Sequence, residues 1–223
     1  MPPINILQIN TAFTEASIAI SCNGELVLEM RNPDQYDHAA FLQPAILELC
    51  TKTNVSLNEL HAVSVINGPG SYTGLRVGLA SAKGICYALN IPLICINTLE
   101  WMAVGNATNN NEWVCAMIDA RRNEVFTALY DQDGKLLMPA RAIVLDENSF
   151  ESELEDHQIR FIGNGAEKWN ALCKHKNAIF PASLENATHL ASISFQYYSE
   201  TKFTDLAYSE PFYIKDFYST QKK

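Results

Sequence analysis

A pattern near the start of this chain returns halfway along it, and that repeat constrains the fold more than any other feature. The first copy reads Leu7-Gln-Ile-Asn-Thr11, then Glu15-Ala-Ser-Ile-Ala-Ile20, then Asn23-Gly-Glu-Leu26. The second reads Ala116-Met-Ile-Asp-Ala120, then Glu124-Val-Phe-Thr-Ala-Leu129, then Asp133-Gly-Lys-Leu136. Asn10 and Asp119 stand 109 positions apart, as do Glu15 and Glu124, while Gly24 and Gly134 stand 110 apart. Each copy is an apolar strand, a polar turn, a second strand and an Asn-Gly or Asp-Gly pair, the strongest short hairpin signal. The bland alternative is two unrelated hairpins. A true duplication predicts two lobes, each opening with an antiparallel meander.

Helical periodicity follows the first meander. His38, Phe41, Leu42, Ala45, Ile46 and Leu49 fall on one helical face, with Asp37 placed to cap it. A second helix is expected from Tyr72 to Leu89, stopped by Asn90 and Pro92. Pro92 to Asn97 reads as a buried strand, and another helix starts at residue 98. The polar run Asn106 to Glu112 marks the change of lobe. The expected lobes are therefore 1–105 and 106–223. In the second, Ile159 to Ile162 is a strand, Gly163-Asn-Gly165 a turn, and Trp169 and Leu172 lie on a helix. Ala187 to Thr201 forms a last helix, able to pack back on the first lobe.

Residues 63 to 78, Val-Ser-Val-Ile-Asn-Gly-Pro-Gly-Ser-Tyr-Thr-Gly-Leu-Arg-Val-Gly, carry the most specific local signal. A β-branched run meets a Gly68-Pro69-Gly70 turn, and Ser71 can cap the helix that follows. Such a turn is either a tight strand-to-helix connection or an anion cradle made of free N–H groups. It is neither a P-loop nor a dinucleotide fingerprint, because the glycine spacing of both is missing. Small residues recur every four positions at Gly74, Gly78 and Ala82, and again at Ala80, Gly84 and Ala88. These form two low ridges that another backbone can approach closely.

Composition narrows the chemistry. The 223 residues are 48% hydrophobic and 18% charged, enough apolar material for a substantial core. The net charge of −9 argues against direct electrostatic binding of nucleic acid, which requires basic groups to displace counterions. Six cysteines are scattered with no Cys-x-x-Cys pair, as expected of free thiols in a reducing compartment. The start, Met1-Pro-Pro-Ile4, has no basic leader and no apolar run reaches membrane-spanning length, so a cytoplasmic protein is expected.

Several motifs resemble those of the TsaB (YeaZ) family. Ile66-Asn-Gly-Pro-Gly-Ser-Tyr-Thr-Gly-Leu-Arg-Val-Gly78 is similar to that family's signature. Ile118-Asp-Ala-Arg-Arg-Asn-Glu-Val125 resembles its second-lobe motif, and Ile6-Leu-Gln-Ile-Asn-Thr11 its first strand. Weaker matches are Asp37-His38, Gly163-Asn-Gly165 and Pro211 to Lys215. The resemblance implies a two-lobed actin-like (ASKHA, RNase H-like) α/β fold with mixed sheets and crossover helices. It implies a non-catalytic partner and activator of TsaD in forming threonylcarbamoyladenosine beside the tRNA anticodon. TsaE, an ATPase, would join the pair, and the chain alone would be a homodimer. No cofactor is expected to bind firmly here. ATP and a divalent metal are expected on the partners, and tRNA contact only through the complex.

The resemblance also implies pairing through the first-lobe helices. That assigns Phe41, Leu42, Ala45, Ile46 and Leu49 on one helix to the contact. On the next it assigns Tyr72, Gly74, Leu75, Gly78, Leu79, Ala82 and Cys86. On this reading Gly78→Leu leaves the monomer folded and blocks pairing. The residues expected nearest an anion or nucleotide are Asn10, Thr11, Gly68, Gly70, Ser71, Thr73, Arg76, Asp119, Arg121 and Glu124. Asn10 departs from the family's usual Asp and loses the charge that draws a metal ion.

The rival class is an enzyme, an actin-like ATPase or small-molecule kinase. Asp119 is the one acid left of the two equivalent positions, which disfavours it. Asp119 and Glu124 have the chemistry of an acid and a base, yet Arg121 can simply pair with either in a structural turn. His38, His61, His157, His175 and His189 include no pair four apart, so neither the transferase's metal pair nor a metalloprotease motif is present. A lone His38 at a helix start reads as a cap or surface residue, and no metal site is expected.

Overall fold

The computed structural model describes residues 2–32, 37–108, 110–182 and 187–215. Two compact units emerge, Met1–Gly105 with Leu184–Pro211, and Asn106–Ser183 with Phe212–Lys223.

In the first unit, β1 (Asn5–Asn10), β2 (Ala16–Cys22) and β3 (Glu25–Asn32) form an antiparallel meander. Strand β4 (Leu60–Gly68) lies parallel to β1, and β5 (Leu93–Asn97) parallel to β4, giving the order β3-β2-β1-β4-β5. Three long helices connect or follow these strands: α1 (His38–Thr53), α2 (Tyr72–Leu89) and α3 (Thr98–Asn106). Strand β1 is buried along its whole length, as a central strand covered on both faces must be. Its alternation assigns the faces. Leu7 and Ile9 join Val63 and Val65 in a core completed by Leu42, Ile46 and Leu49 of α1 and Leu79, Ala82 and Cys86 of α2. Gln8 bonds Ser21, and Ser64 meets Ser194 at 2.7 Å. Ser194 belongs to α6 (Ala187–Ser199), which packs on β1, β2, β3 and β5.

The second unit repeats this plan. Strands β6 (Trp113–Asp119), β7 (Glu124–Tyr130) and β8 (Leu136–Val144) form the meander. Strand β9 (Ile159–Ile162) is parallel to β6, and β10 (Ala178–Ile179) parallel to β9, in the order β10-β9-β6-β7-β8. Read from the meander edge, the two sheets have one topology. The helices differ. α4 (Glu151–Asp156) and α5 (Ala166–Asn170) are stubs where the first unit has α1 and α2. An aromatic core of Phe150, Phe161, Trp169 and Phe180 fills the space.

The slip from 109 to 110 has a local cause. Cys22 pairs with Glu25 across a two-residue turn, with Asn23 at φ 51° and Gly24 at φ 85°. In the second unit Asp131 pairs with Lys135 across three residues, and Asp131 Oδ1 accepts from the N–H groups of Asp133 and Lys135. One extra turn residue shifts everything after it by one. Among the described residues no helix is long and apolar enough to cross a membrane.

Candidate functional site

The glycine-rich segment folds as strand, turn and helix. Gly68 takes φ 127°, and the Gly68–Pro69 peptide is cis. Gly70 lies so near the β1–β2 connection that a Cβ there would fall 2.5 Å from the Ala12 carbonyl oxygen. Ser71 N–H donates to that same carbonyl at 2.7 Å. Ser71 Oγ accepts from Gly74 N–H at 3.3 Å and caps α2. An anion cradle needs such N–H groups free, and two of them have protein partners. The geometry is that of a tight strand-to-helix turn bonded to the β1–β2 connection. Thr73 and Arg76 lie on the exposed side of the helix start, where the Arg76 guanidinium sits 3.9 Å from the Tyr72 ring centroid.

The small-residue ridges require a correction to the sequence reading. Gly74, Gly78 and Ala82 face inward, onto β1 of their own unit. A Cβ on Gly74 would stand 2.0 Å from the Thr11 carbonyl oxygen, and one on Gly78 would stand 2.3 Å from Thr11 Oγ1. Thr11 Oγ1 donates to the Gly74 carbonyl at 2.7 Å and fixes that approach. Leu75, Leu79 and Cys86 are buried beside them, as are Leu42, Ala45, Ile46 and Leu49 of α1. Phe41 is half-buried against this core, and Tyr72 is exposed. The ten buried residues hold the unit together, and Gly78→Leu would break the monomer rather than spare it.

The surface these helices leave open is different. It comprises Gln43 and Leu47 on α1, and Ala80, Ser81, Gly84, Tyr87 and Ala88 on α2. Leu47 is 61% exposed and Tyr87 82%. Apart from its chain neighbours and its own helix backbone, no described atom comes within 4 Å of a Cβ built on Gly84. A shallow groove runs here, floored in part by Leu57, Ile85 and Leu89. The second ridge, Ala80-Gly84-Ala88, is the one available to a partner.

At the end of β1, Asn10 Oδ1 accepts from Ala12 N–H at 3.1 Å. At the equivalent place Asp119 Oδ1 accepts from Arg121 N–H at 2.6 Å, so the repeat extends to the turn bonds. Near Asn10 lies a pocket of about 70 Å³, lined by Glu15, Glu29, Arg31 and Trp101 among others. Arg31 reaches Glu29 at 3.0 Å and Glu15 at 3.6 Å, which raises its guanidinium pKa, chiefly through the Glu29 bond. Two carboxylates against one guanidinium repel a phosphate. The volume is also well below the roughly 300 Å³ of a small-ligand pocket.

Among the described residues the ion pairs of Asp119 and Glu124 are made with lysines, and Arg121 meets Asp119 through its backbone N–H. Lys168 Nζ bonds Asp119 Oδ1 at 2.7 Å and also the Arg122 carbonyl, while Lys215 bonds the Glu124 carboxylate. The Lys168 bond is the main reason the Asp119 pKa lies below its ordinary value. Arg121 and Arg122 both take positive φ, at 71° and 50°. Sequence reading missed both lysines because nothing in the spacing ties residue 168 to 119, or 215 to 124. His38 is buried and its Nε2 lies 3.1 Å from the Phe13 carbonyl, so it ties α1 to the β1–β2 connection rather than lying on the surface. Among the described residues no group of three or more His, Cys, Asp or Glu is placed to hold a metal ion.

Comparison with known proteins places this geometry. The family profile described as TsaD: tRNA N6-adenosine threonylcarbamoyltransferase matches residues 34–215. The chain is 28% identical to the Escherichia coli K12 tRNA threonylcarbamoyladenosine biosynthesis protein TsaB, over 96% of this chain and 95% of that one. It is 30% identical to the TsaB protein of Buchnera aphidicola subsp. Baizongia pistaciae, over 84% of this chain and 87% of that one. In fold it is similar to a Pseudomonas aeruginosa structure described as an uncharacterized protein with similarity to peptidase YEAZ. That match has a TM-score of 0.82 at 22% identity, covering 95% of this chain and 100% of the other.

Proposed function

The chain belongs to the TsaB (YeaZ) branch of the tRNA N6-adenosine threonylcarbamoyltransferase family, and from that premise we propose how it works. It serves as a non-catalytic partner in tRNA threonylcarbamoyladenosine biosynthesis. The fold is the two-lobed actin-like α/β fold of that family. In our reading its partner is a TsaD-like transferase, which it stabilises and activates. A TsaE-like ATPase joins the pair. ATP and divalent metal sit on those partners, tRNA is reached only through the complex, and the work is done in the cytoplasm. In the partner's absence the same surface pairs two copies.

The observation that carries this reading is the asymmetry between the two copies of the repeat. The first unit expands its crossovers into α1 and α2 and exposes Leu47 and Tyr87 on them, while the second has the stubs α4 and α5. Exposed apolar residues beside a low ridge suit helix-to-helix packing with another chain. The pairing surface is therefore the outer ridge Ala80-Gly84-Ala88 with Leu47 and Tyr87. The cramped Glu15–Glu29–Arg31 pocket supports leaving chemistry to the partner.

The test is reconstitution of threonylcarbamoyl transfer to tRNA with purified pathway proteins, with and without this chain. We expect modification to require the chain, and the chain alone to hydrolyse no ATP. Unchanged modification on omission would overturn the partner role. ATP hydrolysis by the isolated chain would favour the kinase or ATPase class.

A further inference from the structure

Past α6 the chain returns to α2 and is held there with unusual completeness. Thr204 bridges the edge strand β5: its N–H donates to the Leu93 carbonyl at 2.8 Å and its Oγ1 accepts from Cys95 N–H at 3.0 Å. Leu206 packs against the first unit's core. Asp205 Oδ1 accepts from the N–H groups of Ala207 and Tyr208, at 2.8 and 3.0 Å, and Ser209 N–H closes onto the Asp205 carbonyl at 3.1 Å. Lys83 of α2 then donates to the Ala207 carbonyl at 3.2 Å and the Ser209 carbonyl at 3.0 Å. Between those two anchored residues Tyr208 is 85% exposed. One turn along α2 from Lys83 stands Tyr87, 82% exposed.

A turn pinned at both carbonyls flanking its apex, with a large aromatic displayed at that apex, is a presentation rather than a loose connection. We infer that residues 204–209 form a strap that extends the α2 pairing surface, with Tyr208 touching the transferase partner and Lys83 positioning it. This inference rests on the pairing reading above. A ridge of Ala and Gly lets two backbones approach but contributes little side-chain area. A stable interface needs about 800 Å² from each partner, and aromatic anchors supply such area at low entropic cost. Tyr87 shares α2 with the ridge, and Lys83, one turn from it, holds the turn that carries Tyr208. The occupant is a transferase of the same family. The profile match over residues 34–215 runs through α1, α2 and this strap, so a partner of that family is built on the same plan, and like can meet like.

The experiment measures binding of the unmodified chain, four single variants and one double variant to the purified transferase, with dissociation rates and self-association followed in parallel. Gly84→Leu reports on the ridge. Tyr208→Ala, Lys83→Met and Lys83→Arg report on the strap. We expect Gly84→Leu to abolish binding, and Tyr208→Ala to weaken it about tenfold, mainly through faster dissociation. Lys83→Met should weaken it similarly while Lys83→Arg, which keeps donors for both carbonyls, restores it. The double variant Lys83→Met/Tyr208→Ala should bind no worse than Tyr208→Ala alone, because Lys83 acts through Tyr208. Loss of binding in Gly84→Leu with parental binding in Tyr208→Ala overturns the strap and leaves the pairing reading standing. Parental binding in Gly84→Leu sinks the pairing reading itself. Additive losses overturn the positioning role of Lys83. Weaker self-association with unchanged transferase binding assigns the strap to a second copy and overturns the choice of partner. At 85% exposure Tyr208→Ala leaves the fold intact, so its result stands whatever happens to the Lys83 variants.

Discussion

At the scale of single residues, chemistry that looks catalytic in one dimension proves to be turn construction in three. Asp119 has the composition of an acid or a metal ligand. In the structure its carboxylate accepts from Arg121 N–H and from Lys168, and so closes the β6–β7 connection. Lys168 holds the Asp119 pKa down, so the bond contributes stability above the ordinary carboxylate pKa, and that stability is lost as pH falls through the depressed value. Lys168→Met should therefore raise the Asp119 pKa toward its ordinary value. An NMR titration of the side-chain carboxyl checks this, and an unmoved midpoint would mean the bond is not made in solution. Asn10, the matching residue, makes the same turn bond without a charge, so the bond needs the side-chain oxygen and not the carboxylate.

At the scale of elements, α2 shows how far sequence pattern reaches. Its limits, its Ser71 cap and its two small-residue ridges are all legible in the sequence, because each depends on neighbours within a few residues. Which ridge faces in is not legible. The ridges lie about 120° apart on the helix and are chemically alike. Thr11, 63 residues away along the chain, decides it by bonding the Gly74 carbonyl and leaving no room for a Cβ. Gly74→Ala should therefore destabilise the first unit by about 1–3 kcal/mol, since backbone atoms stand in the way. Urea denaturation would measure it, and an unchanged midpoint would place α2 farther from β1 than described. Helix α1 follows the same logic. Its apolar stripe is legible in the sequence as one face, and the structure places that face over β2 and β3 of its own unit rather than against a partner.

At the scale of the whole molecule, each unit carries a buried thiol that reports on it alone. Burial pushes the Cys86 pKa up to about 11 in the first unit and the Cys115 pKa to about 12 in the second. Both thiols stay protonated and shielded at neutral pH, so thiol reagents should label them only when their own unit opens. Mass-resolved labelling in increasing urea checks this, and rapid native labelling of either would contradict its burial. The duplication, the two meanders and the one-residue slip between them follow from local rules of strand alternation and turn length, which is why the sequence alone determined them. Tertiary structure alone decided which faces are spent inside. A helix presents several faces, and only the strand packed against it selects one. The same holds for Lys83, which meets carbonyls more than 120 residues away, and for Lys168 on Asp119 and Lys215 on Glu124. Pairings at such distances leave no periodic trace in a chain, so only the assembled fold reveals which surface remains to be shared with a partner.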